Sequence, residues 1–250
     1  AAIDRSGSGN NGTRVGGTKV TTGKIGQAMK FDGTSGYLSV PDIPALRLVH
    51  PNPYTISLWA KPTTLKDYGN VLWKSNFPTD GWGIATLANG DWQFQVAPAS
   101  SNPASGAGSL VNGQWALIVI TFDGSVLKLY NNATQKYSGG YIGGATGIIS
   151  GTHILDIGTD IDNVRYFNGS LDDVRIYSRA LSASEVQQLY KLGGGKINKT
   201  DTTRPTLKTG LVGHWTMDGK DVTSTAAIDR SGSGNNGTRV FNVTSDFGRN

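Results

Sequence analysis

The chain has 250 residues, of which 37% are hydrophobic, 16% are charged and 35 are glycine, a composition that excludes a disordered tail and a helical bundle. Of its 18 acidic residues, 17 are Asp and only Glu185 is Glu, so chemistry that needs two glutamates is ruled out. The net charge of +5 comes from singly scattered Lys and Arg, without the basic stripe of a nucleic-acid binder. There is no cysteine, hence no disulfide or thiolate site, and no apolar run reaches the roughly 18 residues of a membrane span.

In chain order, residues 1–15 read AAIDRSGSGNNGTRV and recur without change at 226–240. The repeat period is that of one domain plus a linker, so the sequence reads as a circularly permuted unit or as one cut from a tandem array. From residue 26 onward, short apolar stretches alternate with turn signals: QAMKFDG, YLSV, YTISLWAKP, NVLWKS, GWGIATL, DWQFQVA, WALIVITFDG, VLKLYNN, HILDIGT and GSLDDVRIYSRAL. Tyr54, Ile56, Leu58 and Ala60 alternate with Thr55, Ser57 and Trp59, and Trp92, Phe94 and Val96 alternate with Gln93 and Gln95. That is the period of a pleated strand. Asn89-Gly90 and Asp123-Gly124 supply hairpin turns. About a dozen such strands predict an all-β, antiparallel two-sheet sandwich.

One helix is expected at about 182–191, where Ser182 and Glu185 form a capping box, Val186, Leu189 and Tyr190 share a face, and glycines follow. It is read as covering one end of the sandwich. Residues 193–209 have linker composition, and GLVGHWTMDG at 210–219 reads as a strand that ends in a turn. The chain therefore divides into a domain at 1–192, a linker at 193–209, and a strand plus the start of a next repeat at 210–250.

The segments at 26–42, 54–62, 113–132 and 167–190, the last with DDVRIY, RAL and a capped helix in order, resemble the laminin-G-like, concanavalin A-type jelly-roll family. DRSGSGNNGT resembles the loop after that family's first strand, and GLVGHWTMDG resembles the strand itself. The resemblance implies a jelly-roll sandwich, but with the first strand displaced to the C-terminal side. That strand is expected either to complete its own sandwich or to enter a neighbouring one, because an unfilled slot leaves backbone groups unpaired.

The resemblance also implies a structural Ca2+ joining the repeated loop to Asp218 and to Asp172 or Asp173. Asp229 and Asn235, with their copies Asp4 and Asn10, offer the oxygen ligands such an ion takes. The alternative is that these residues close Asx turns and that one Asp of DDVRIY pairs with an Arg.

For a sugar, the candidates are Trp73, Trp82, Trp92 and Tyr166, with Asp80, Asp160, Asp162 and Asn163 in nearby loops. A strand tryptophan is otherwise core, which is the reading for Trp59, Trp115 and Trp215. Trp82, next to the Thr79-Asp80-Gly81 turn, is the one expected to reach the surface. N-x-S/T sequons stand at Asn11, Asn132, Asn168, Asn198, Asn236 and Asn242.

No paired-carboxylate strand, catalytic triad or HExxH spacing is present, so no catalysis is expected. These features predict a calcium-stabilised extracellular module of a tandem-repeat surface protein. It would bind a glycan or a surface protein, and copies of itself head to tail are a further partner. Two alternatives stay open: a structural subunit that polymerises into filaments by strand donation, and a lectin-like accessory module of a secreted glycoside hydrolase.

Overall fold

The computed structural model describes residues 4, 6, 8, 10, 12–76, 79–97, 102–106, 108–140, 147–148, 152–160, 162–194, 207–218, 226–227 and 237–238. The N-terminal part carries β1 (Thr13–Val15), β2 (Lys19–Thr22), β3 (Gln27–Asp32), β4 (Tyr37–Val40) and β5 (Val49–His50). The middle carries β6 (Tyr54–Pro62), β7 (Gly69–Asn76), β8 (Asp80–Thr86), β9 (Trp92–Val96), β10 (Ala116–Phe122), β11 (Val126–Asn131) and β12 (Thr134–Gly140). Then come β13 (Gly147–Ile148), β14 (Leu155–Ile157), β15 (Asn168–Tyr177), α1 (Ala183–Gly194), β16 (Leu211–Trp215), β17 (Ala226–Ala227) and β18 (Gly237–Thr238).

Two antiparallel sheets face each other. One has the order β1-β4-β14-β7-β8-β9, and the other has β12-β11-β10-β6-β15-β3-β2 with β16 beside β15. The core between them is built from the inward set of each strand, including Ile56, Leu58, Ile84, Phe94, Ile118, Ile120, Ile157 and Ile176. Gly90 and Gly124 take the positive φ their hairpin turns require.

In the eight-stranded sheet the alternate set is buried as well. Trp59, Leu117, Val119, Tyr130 and Tyr177 form a second cluster with Val186 and Leu189 of α1. The helix therefore lies on the outer face of this sheet and not over one end of the sandwich, which is why β6 and β10 are apolar or small on both sides. The capping box forms: the Glu185 amide donates to Ser182 Oγ at 3.3 Å, and the Ser182 amide donates to Glu185 Oε2 at 2.9 Å. The helix continues through Gly194, past the expected end, because Gly193 allows close approach: a Cβ there would lie 2.2 Å from the Trp59 ring.

β15 has one neighbour slot divided between two strands. β3 pairs with its first half, from Asn168↔Asp32 to Leu171↔Met29, and β16 pairs with its second, from Val174↔Trp215 to Tyr177↔Leu211. In this single chain β16 thus lies in the eight-stranded sheet, beside β15. Between the halves the register with β6 shifts at Asp172, and Asp173 takes a φ of 50°.

Candidate ion site and ligand face

The irregularity in β15 turns its two aspartates to opposite tasks. Asp173 is buried between Arg175 and His214: Arg175 Nε donates to Oδ2 at 3.0 Å, and His214 Nε2 meets Oδ1. Burial works against its charge, but the Arg175 and His214 charges hold the carboxyl well below the usual range. Asp173, expected among the ion ligands, is therefore taken up by an internal ion pair, as the Arg-pairing alternative has it.

Asp172 has no cation beside it among the described residues. It is fully buried, and Oδ2 accepts the amides of Lys24 and Ile25 at 2.7 and 2.8 Å. Oδ1 is buried without a partner. Burial, with the nearby charges of Asp173 and Asp218, pushes its pKa up to about 8. Asp218 Oδ1 accepts the Gln27 amide at 2.6 Å, so both carboxylates hold the same 23–27 turn. Among the described residues no three His, Cys, Asp or Glu side chains converge on one point.

Asp4 and Asn10 stitch the repeated loop to β16. Asp4 Oδ1 accepts the Ser6 and His214 amides, and Oδ2 accepts Ser6 Oγ and the Asn10 amide. The Asn10 side chain donates to the Val212 carbonyl, and Trp215 Nε1 donates to the Asn10 carbonyl at 2.6 Å. Contrary to the expectation of ion ligands, the Asp4 oxygens are filled by N–H and O–H donors, the Asx-turn role. Asp229 and Asn235 lie outside the described residues.

The expected sugar residues separate. Trp82 and Trp92 are 0% exposed and Trp73 is 5% exposed, so none of the three is a surface platform. Trp82 belongs to the inward set of β8 with Ile84, a role fixed by the strand's alternation in spite of the adjacent turn. Asp80 meets His153 Nε2 at 2.8 Å, at the end of the sheet where β7 turns into β8.

Asp160, Asp162, Asn163 and Tyr166 share the loop between β14 and β15. Asp160 Oδ1 accepts the Val164 and Arg165 amides, while Asp162 and Asn163 are exposed. The Tyr166 ring lies 6.5 Å from Tyr37, and its backbone bridges to Asn70. Of the sequons, Asn132 accepts the Leu117 amide through Oδ1 at 2.9 Å and Asn168 is half-buried at the start of β15. Asn11, Asn198, Asn236 and Asn242 lie outside the described residues.

The sequence reading missed the polar floor beside this loop. Leu155 and Ile157 enter the core, so Asp156 between them faces the outer side of the six-stranded sheet, flanked by Ser39 and Trp73 on the adjacent strands. Burial pushes the Asp156 pKa up to about 7 against a bond from Ser39, and Oδ1 has no partner. Both amide atoms of Asn70 and the Thr159 hydroxyl are likewise buried without partners. Such groups are rare in folded proteins and ask for an explanation. The usable sequence signal was a lone Asp in the apolar stretch HILDIGT.

Among the described residues no helix is long and apolar enough to cross a membrane. Of solved structures, domain 4 of AbnA, a GH43 extracellular arabinanase from Geobacillus stearothermophilus in complex with arabinotriose, is similar, with a TM-score of 0.55 and 24% identity over 70% of this chain and 82% of that one. The binding domain of Paraclostridial Mosquitocidal Protein 1 matches with a TM-score of 0.56 and 20% identity over 73% of this chain and 48% of that one. The Adhesion G-protein coupled receptor V1 of Danio rerio is 25% identical over 151 residues, 55% of this chain but only 2% of the receptor. The family model of the concanavalin A-like lectin/glucanases superfamily matches residues 32–187, more than half of the sequence. With two antiparallel sheets and one helix in place, this chain belongs to that superfamily.

Proposed function

We propose that this domain is a non-catalytic, extracellular glycan-binding module whose ligand lies on the outer face of the six-stranded sheet. One observation carries the reading: beneath the half-buried Tyr37–Tyr166 pair, Asp156 of that face and the nearby Asn70 and Thr159 are buried, at 3%, 1% and 0% exposure, with polar atoms left unpartnered. A ligand that parts the side chains above them would supply the missing bonds. Sugar hydroxyls donate and accept, so one pyranose or furanose edge can meet a carboxylate oxygen and an amide together, with a tyrosine ring against its apolar side. The complex of the arabinanase domain with arabinotriose supports the ligand class, and the adhesion receptor supports a surface setting. Among the described residues no second carboxylate is placed for hydrolysis. Glu185 is held by Arg179 and Ser182, and Asp160 closes its own loop.

The test is calorimetric titration with arabinotriose and a panel of oligosaccharides. Removing a charged hydrogen-bond partner costs about 1.5–3 kcal/mol, so Asp156→Ala should weaken the best ligand about tenfold or more. Tyr166→Ala should weaken it as well without lowering the melting temperature. Absence of binding across the panel, or a Tyr166→Ala protein that binds unchanged, refutes the reading.

A structural Ca2+ fits the second site. Asp172 Oδ1 and Asp218 would hold it, and the ion would supply the positive charge that the buried Asp172 lacks. An ion that binds only the folded state adds about 2.7 kcal/mol at a hundredfold excess over its Kd. Chelation should therefore lower the melting temperature of the parent protein and leave Asp172→Asn and Asp218→Asn unaffected. A parent melt that ignores chelator and added Ca2+ alike rules the ion out.

A further inference from the structure

We propose that residues 226–240 are a second occupant of the seat on β16 that residues 1–15 fill, and that they take it within the same chain when the first copy lets go. The seat consists of the His214 amide, the Val212 carbonyl and Trp215 Nε1, and its occupant engages them through Asp4 and Asn10. Both side chains are buried in that contact, Asp4 at 0% and Asn10 at 4% exposure. The second copy is identical, with Asp229 and Asn235 at the same spacing. The three seat residues lie on the strand just before it. The ten residues at 216–225 can extend roughly 33 Å, so a return to β16 as a hairpin requires no long loop closure.

The residues that succeed each copy decide which one holds the seat. After Val15 the chain passes through Gly16 and Gly17. Gly16 has a φ of +62°, and a Cβ there would lie 2.1 Å from the Ser35 carbonyl oxygen; a Cβ on Gly17 would lie 2.1 Å from Asp32 Oδ2. The second copy continues with Phe241 and Asn242, which cannot follow that path. It can therefore reproduce the bonds to β16 but not the turn beyond them, and the first copy has the advantage. In keeping with this, β17 and β18 of the second copy pair with each other in a ladder separate from both sheets of the sandwich.

Amide hydrogen exchange at His214 in the full chain tests the proposal, since that amide donates to whichever aspartate is seated. The parent, an Asp4→Ala/Asn10→Ala variant and an Asp229→Ala/Asn235→Ala variant should all keep His214 protected. The variant with all four changes should lose at least tenfold in protection. If Asp4→Ala/Asn10→Ala is already as unprotected as the fourfold variant, the second copy does not dock and the proposal fails. It also fails if protection in Asp4→Ala/Asn10→Ala falls on dilution, which would make a second molecule the donor. Should the fourfold variant not fold, Asp4→Ala/Asn10→Ala compared with Asp4→Ala/Asn10→Ala/Asp229→Ala gives the same discrimination.

Discussion

Trp215→Ala should lower the melting temperature by about 10 °C or more. The ring is fully buried in the core between the sheets, and its Nε1 donates to the Asn10 carbonyl at 2.6 Å. Truncating a buried tryptophan costs about 3–5 kcal/mol through lost burial and the cavity left behind. A domain of this size loses roughly 2–4 °C per kcal/mol. The substitution also orphans the Asn10 carbonyl and loosens the loop that pairs with β16, so the damage reaches beyond the ring itself. Leu211→Ala at the other end of the strand is a milder comparison, because Leu211 is only partly buried against the helix-side cluster. Differential scanning calorimetry on both proteins checks this. A Trp215→Ala melt within about 2 °C of the parent would mean that β16 is not part of the core in solution.

Much of this architecture is legible one strand at a time. The alternation of Tyr54, Ile56, Leu58 and Ala60 sets the inward face of β6, and Ser182 with Glu185 marks the start of α1. Both signals act within a few residues of one another. What sequence reading misplaces depends on residues distant along the chain. The helix runs past its expected end because Gly193 meets Trp59, a contact between elements far apart in sequence. Trp82 sits beside a turn and looks exposed, but the alternation it shares with Ile84 sends it inward. Asp173 and Asp172 are adjacent and identical in type. Only the irregularity in β15 gives one an Arg and a His and leaves the other with an unpartnered oxygen. The same holds for Asp156, whose environment is set by Ser39 and Trp73 on two other strands.

Asp156 should also make the stability of the domain fall as the pH rises towards neutrality. An unperturbed aspartate ionises at 3.8, whereas Asp156 in the folded protein ionises at about 7, chiefly because burial disfavours the charge, with Asp160 adding repulsion. Tyr37, the Ser39 hydroxyl and Asp160 are the polar groups that interact with it, and no cation is among the groups that shift it. Below 3.8 both states are protonated and the group is neutral in effect. Between 3.8 and 7 the folded state holds a proton that the unfolded chain has released, so stability drops by about 1.4 kcal/mol per pH unit and levels off above 7. The full loss is about 4 kcal/mol. Asp156→Asn keeps the shape and removes the titration, so the two proteins should be nearly equal near pH 4, with the Asn variant pulling ahead up to about pH 7.5. Taking the difference between them cancels the groups common to both, including the carboxyls of Asp32, Asp42 and Glu185 that are held low by their partners. Urea unfolding at half-unit pH steps reads the difference, and a gap that stays constant with pH refutes the burial assignment. The same charge links stability to binding. A sugar hydroxyl that donates to Asp156 favours the carboxylate, so glycan affinity should fall as the pH drops below about 7, and ligand should restore at neutral pH the stability that the buried charge removes.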